Sequence, residues 1–193
     1  MTQRCILVIP DAGPINSLWV ANSLNLLLAL KMPIIIIDEV YAELTSEPER
    51  YQKAHDVKAF VEGHADVFKI EKTTVGHLAA QARARGETLT DEGLGEAAIA
   101  EFFKKGIEKY ARADEPVLLL FEDSDIRTVR FVRKPANMHL LTTIAMLRGL
   151  EEKKVIKSAD EIIRAMMHPT DPLRKGRKFN DLPNGIGEPA VSP

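Results

Sequence analysis

Three short stretches of this chain are apolar at every position: residues 5–10 (Cys-Ile-Leu-Val-Ile-Pro), 33–37 (Pro-Ile-Ile-Ile-Ile) and 117–121 (Val-Leu-Leu-Leu-Phe). An unbroken run of this length, rich in branched aliphatic residues, is the pattern of a strand covered on both faces. Between these runs the apolar residues recur at helical spacing. Leu18, Trp19, Leu24, Leu27 and Leu28 lie along one helix predicted over 15–30, with Pro14 suited to its first turn. Asp38 is placed as the N-cap of a helix carrying Val40, Tyr41 and Leu44. Residues 47–63 are polar and helical, 66–70 alternate like a short exposed strand, and 75–85 form an Ala-rich helix ending at Gly86. Thr90 or Asp91 can cap a helix over 93–105. After the strand at 117–121 the pattern predicts a helix over 125–132, a strand over 138–141, and helices over 142–153 and 158–167, the last capped by Ser158. Strands and helices in alternation imply one α/β domain, a three-layer α/β/α sandwich with a central mostly parallel sheet, over residues 1–168.

The chain has 193 residues, enough for a sizeable core. Its formal charge of −2 provides no general attraction to a polyanion, so any nucleic-acid contact must come from a local basic patch or a bound metal. Cys5 is the only cysteine, which excludes an internal disulfide and a Cys-based zinc cluster and suits a reducing compartment. Inside the first strand it is expected to be a small buried core residue. No apolar run approaches a membrane span, and no cationic segment leads into an apolar stretch at the N-terminus, so a cytoplasmic protein is expected. From His168 onward the composition turns to Pro, Gly, Asn and charge, with Arg174, Lys175, Arg177 and Lys178 close together. Residues 169–193 therefore read as a flexible basic tail.

The apolar strands end on acids. The first leads into Asp11 and the third into Glu122-Asp123, and strand C-termini are where open α/β sheets build their sites. Glu43 and Glu96 lie on predicted helices between them. Four carboxylates meeting at one sheet edge would resist ionisation unless a cation joined them, and hard divalent ions such as Mg²⁺ meet that need. The pattern points to a metal-dependent phosphodiesterase site. Taken singly, Glu43 and Glu96 read as ordinary exposed helix carboxylates. Asp11 is either the N-cap of the next helix or a site residue. Asp123 competes with Glu122 and Asp125, one of which caps the following helix, and Asp125 is the second choice as metal ligand. Glu39, Asp91 and Glu92 read as solvated or capping. The five histidines show no metal-ligand spacing. Arg83 and Arg85 read as a solvated face, as do Arg127, Arg130, Arg133 and Lys134, although Arg127, Arg130 and Lys134 on one helix side also fit a phosphate-contact stripe. Trp19 is assigned to the core rather than to base stacking.

In the order of these motifs the chain resembles the PIN-domain ribonucleases, in particular their toxin-like branch. The matching stretches are Asp11-Ala-Gly-Pro-Ile15, Asp38-Glu-Val-Tyr-Ala-Glu-Leu44, Leu94-Gly-Glu-Ala-Ala-Ile99 and Leu119-Leu-Phe-Glu-Asp-Ser-Asp-Ile-Arg127, spanning roughly residues 5–155. The resemblance implies a catalytic set of Asp11, Glu43, Glu96 and Asp123, with Asp11, Glu96, Asp123 and Asp125 holding Mg²⁺ or Mn²⁺. It also implies an RNA substrate and, as partner, an antitoxin protein. Gly13 departs from the pattern, because many relatives carry a hydroxyl residue near the first acid; Thr142 or Thr143 is the expected substitute. The long polar stretch between Glu43 and Val67 is a second departure, read as a clip over the substrate groove or a contact in a homodimer.

Two rival readings remain. A haloacid-dehalogenase-like phosphatase also ends its first strand on an Asp, but it needs a second acid two residues later, where this chain has Gly13. A catalytically inactive PIN-like binding module would keep the fold and lose the metal spacing.

Overall fold

The computed structural model describes residues 5–87, 93–122 and 136–177. At its centre lies a five-stranded, all-parallel sheet in the order β3-β2-β1-β4-β5. The strands are β1 Leu7–Pro10, β2 Ile34–Ile37, β3 Phe68–Glu71, β4 Val117–Phe121 and β5 Met138–Thr142. Every residue of β1, β2 and β4 is buried. Helices cover both faces of these inner strands, so a polar side chain at any position would lose its water without replacement. In edge strand β3 Phe68 is buried and Lys69 exposed, Ile70 is half-buried, and the strand ends on Glu71, which is buried and accepts from Lys109 and the Tyr110 hydroxyl.

Helices α1 Ala12–Val20, α2 Asp38–Thr45, α3 Gln52–Gly63, α4 Thr74–Ala84, α5 Leu94–Glu101, α6 Thr143–Glu152 and α7 Ala159–Met167 complete a three-layer α/β/α sandwich. The hydroxyls of Thr73, Thr142 and Ser158 accept from the backbone N–H three residues on and cap α4, α6 and α7. The chain lays β1, β2 and β3 in one direction and then returns to place β4 and β5 on the other side of β1. The winding thus reverses between β1 and β4, which leaves a crevice beyond their C-termini. Pro10 is in register with Leu120, and the Asp11 N–H donates to the Leu120 carbonyl at 2.9 Å. Asp11 and Glu122 therefore leave adjacent strands at the same edge.

Several elements differ from the sequence reading for identifiable reasons. The helix expected over 15–30 ends at Val20: Asn22 takes a left-handed conformation (φ 53°), the Ser23 N–H turns back to the Leu18 carbonyl, and two short 3₁₀ turns, Leu24–Leu26 and Leu28–Leu30, follow. The helix expected from residue 47 starts at Gln52, because Glu47 is left-handed (φ 50°) and its carbonyl closes a turn with the N–H groups of Arg50 and Tyr51. Helix α5 passes into a single π turn, Phe102–Gly106, where a Cβ on Gly106 would lie 2.7 Å from the Phe102 ring. The helix expected over 125–132 and the caps Thr90 and Asp91 lie outside the described residues, as do Glu92, Arg127, Arg130, Arg133 and Lys134.

Two acids of α2 are structural. Asp38 is the first residue of α2 rather than its N-cap, and its carboxylate accepts from the Thr73 N–H and the Thr73 hydroxyl, both at 2.8 Å. This ties the start of α2 to the β3–α4 turn. Gly76 leaves the space, since a Cβ there would stand 2.1 Å from Asp38 Oδ2. Glu39, expected to be solvated or capping, is buried and gripped by both terminal nitrogens of Arg83 at 3.0 and 2.8 Å, while Arg83 itself stays exposed as expected. Cys5 is half-buried against the core just before β1, and burial raises its thiol pKa.

Candidate active site

Asp11, Glu43 and Glu96 meet in one electrostatic field. Asp11 occupies the N-cap position of α1, in the turn after β1, without a side-chain capping bond to the third residue on. Gly95 allows α5 to approach α2: a Cβ on it would stand 3.6 Å from Val40 Cγ2 and 3.9 Å from Glu43 Oε2. Glu96, the next residue, and Glu43 both lie close enough to Asp11 for their charges to act on it. The consequence appears at Asp11, whose pKa is raised to about 6. Burial is the largest cause, and the charges of Glu96 and Glu43 push in the same direction; the backbone N–H groups of Ala12 and Gly13 offset part of the rise.

Glu122 forms the neighbouring half of the crevice. Its side chain is only 8% exposed. Oε2 accepts from the Ser17 hydroxyl at 2.7 Å and from Arg177 Nη2 at 3.1 Å, while the buried Oε1 has no hydrogen-bond partner among the described residues. Gly13 makes room for it, since a Cβ at that position would lie 3.1 Å from Glu122 Cβ and 3.4 Å from Oε2. The absent hydroxyl at position 13 is therefore matched by a carboxylate that fills the space. The hydroxyl that reaches this crevice belongs to Ser17, one face of α1 away, and not to the expected Thr142 or Thr143. Thr142 spends its hydroxyl on capping α6, and that of Thr143 is buried without a partner among the described residues.

Cations also enter the crevice. Arg177 directs its Nε to Ser17 Oγ at 3.2 Å and its Nη2 to Glu122, and its backbone N–H donates to the Met166 carbonyl at 2.9 Å. Arg174 stacks 4.8 Å from the centre of the Trp19 ring and donates to the Trp19 carbonyl, while the Trp19 indole N–H donates to Asp56 at 3.0 Å. Trp19 is thus buried as expected and joins α1, α3 and the C-terminal segment. Lys53, at the start of α3, is partly buried; its amine pKa is lowered, first by burial and then by the charge of Arg177, against the opposing pull of Glu43. The expectation that the chain after His168 lacks docked contacts is corrected for its described part. It is held by polar and cation–π contacts, which leave no apolar periodicity in the sequence to detect.

The donor set is all carboxylate, which suits Mg²⁺ or Mn²⁺. Among the described residues no group of three or more His, Cys, Asp or Glu is by itself placed to hold an ion. The remaining expected ligands, Asp123 and Asp125, lie outside the described residues, immediately after Glu122. Also among the described residues, no helix is long and apolar enough to cross a membrane.

No family model and no curated protein matches the chain. Among solved structures it is similar to one described as VapBC2 from Rickettsia felis bound to a DNA fragment from their promoter, at 14% sequence identity and a TM-score of 0.37, over 71% of this chain and 98% of that one.

Proposed function

We propose that this protein is a metal-dependent endoribonuclease that hydrolyses RNA phosphodiester bonds, with Asp11, Glu43, Glu96 and Asp123 as its acidic set and the toxin of a toxin–antitoxin pair as its biological role. The observation that carries the reading is the field at Asp11: in the turn after β1 its carboxyl is buried, feels the charges of Glu43 on α2 and Glu96 on α5, and is held at a pKa of about 6. Such an arrangement is unfavourable unless a cation relieves it. RNA, rather than DNA, comes from the motif resemblance alone, as does the antitoxin partner.

In this reading Asp11, Glu96, Asp123 and Asp125 would hold Mg²⁺ or Mn²⁺, directly or through water. When bound, the ion supplies a water of lowered pKa and neutralises charge on the phosphate. The chain's own residues do the rest. Glu43 adds negative potential that favours cation entry. Asp11 gives up its proton before it can act, so activity rises as pH passes through about 6. The buried floor of β1 and β4 keeps this edge rigid.

The test is RNA hydrolysis in Mn²⁺ by the wild-type protein and by Asp11→Asn. Cleavage should require the ion, vanish on chelation, and be lost in a folded Asp11→Asn protein. Wild-type-like cleavage by Asp11→Asn, with contaminating nuclease excluded, would sink the assignment.

A further inference from the structure

We infer that Arg177 and Lys53 form a phosphate-holding subsite beside the acids, through which the backbone of a nucleic-acid strand is seated in the crevice. This deepens the ribonuclease reading and rests on it for the identity of the strand. The carrying observation is how Arg177 is built in. Its Nε and Nη2 edge is committed to Ser17 and Glu122, both largely or wholly buried. A guanidinium has five N–H donors, and this edge uses two of them. The second fork edge, formed by Nη1 and the other Nη2 hydrogen, belongs to a side chain that is 37% exposed. Among the described residues Nη1 makes no hydrogen bond to a protein acceptor. A fixed guanidinium with a free two-donor edge matches the geometry of a phosphate.

The second observation concerns Lys53. Lys53, arriving from α3, is partly buried and lies in the field of both Glu43, whose pull on it is the stronger, and Arg177, which repels it. Like charges held together at a cleft are costly when nothing anionic joins them. Glu122 takes the committed edge of Arg177 and Glu43 offsets part of the field at Lys53, which leaves the outer edge of Arg177 and the Lys53 amine to share a further anion. An anion between Lys53 and the free edge of Arg177 relieves the repulsion. Its neighbouring phosphodiester along the strand would then face Asp11, Glu43 and Glu96. Segment 171–177 serves as the wall that carries Arg177, fastened by Arg174 on Trp19 and by the Arg177 N–H on Met166.

Binding of a fluorescein-labelled single-stranded RNA oligonucleotide, followed by anisotropy in EDTA so that no cleavage occurs, tests the subsite apart from catalysis. Lys53→Ala and Arg177→Lys should each weaken binding about tenfold, and Lys53→Ala should make the slope of log affinity against log salt shallower by roughly 0.7. Arg177→Lys keeps a cation on Glu122 and should melt within a few degrees of wild type. Wild-type affinity and salt slope in both variants would overturn the inference. Tighter binding by Arg177→Lys would overturn it too, showing that Arg177 obstructs the crevice. Inorganic phosphate separates the sources: if it raises the melting temperature through Lys53 and Arg177 while RNA binding ignores both residues, the subsite serves a free anion and the nucleic-acid assignment fails. RNA bound through these residues but not cleaved in Mn²⁺ would defeat the ribonuclease reading alone. Cleavage indifferent to both residues would defeat this inference alone.

Discussion

At the scale of single residues, Asp11 is where stability and chemistry oppose each other. Its folded pKa of about 6 lies above the ordinary carboxylate value, so the fold favours the protonated form. The sign follows from linkage. A raised acidic pKa contributes stability that is present below the unfolded value and is lost as pH climbs through the folded one. A shift of this size corresponds to about 2–3 kcal/mol across the window from pH 4 to pH 6. Asp11→Asn removes the titrating charge with little change of shape, so it should melt higher than wild type at pH 7, and the advantage should shrink as pH falls to 4. Melting curves of the two proteins at both pH values check this; a gap independent of pH would show that Asp11 is not held protonated. Gly76 makes the opposite kind of prediction. Gly76→Ala would place a methyl 2.1 Å from Asp38 Oδ2, a carboxylate already fixed by Thr73, so it should destabilise by about 2–4 kcal/mol in urea denaturation.

At the scale of elements, the C-terminal segment behaves unlike its composition. Residues 169–177 contain little that could enter a core, yet Arg174 and Arg177 fasten them to α1 and to the end of β4. The partner at that strand end, Glu122, is a buried carboxylate, and removing a counter-ion from such a group is costly because water cannot replace it. Truncation after Thr170 should therefore lower stability by about 2–4 kcal/mol, or several degrees in Tm, where a flexible tail would leave it unchanged. A double-mutant cycle identifies the cause: Arg177→Ala should cost clearly less in a Glu122→Gln background, because the charge that needed pairing is gone. Equal costs in both backgrounds would refute the ion pair as the anchor. Helix α1 illustrates why elements were only partly legible. Apolar spacing from Leu18 to Leu28 continues through the helix end, because the 3₁₀ turns after Asn22 also bury one side, and periodicity alone does not distinguish them.

At the scale of the whole molecule, the net charge of −2 leaves attraction to a polyanion to local groups, of which Lys53 and Arg177 are proposed above. RNA binding should accordingly show a shallow salt dependence, with a log–log slope of about −1 to −2, as expected for two phosphate-contacting cations on a single strand. A slope several times steeper would locate binding on a broad basic surface instead. Millimolar Mn²⁺ should raise Tm at pH 7, since an ion bound only by the folded state stabilises it, and the rise should fade below pH 6 as protons compete for Asp11. No shift at either pH would favour the inactive, binding-module reading. The parallel sheet, its burial and the strand ends on which Asp11 and Glu122 emerge were readable from three unbroken apolar runs and the residues that end them, because burial on both faces permits no polar position and parallel pairing follows from alternation with helices; the strand order was decided by the fold. The contacts between distant segments were not readable: Glu39 with Arg83, Ser17 with Glu122, and Arg174 and Arg177 folded back onto α1 and β4. Periodicity records how a segment meets the core, whereas a pair of charged or hydroxyl groups leaves no periodic trace. Their pairing is decided only when the fold brings two remote stretches of chain within hydrogen-bond reach and removes the water that would otherwise have served them.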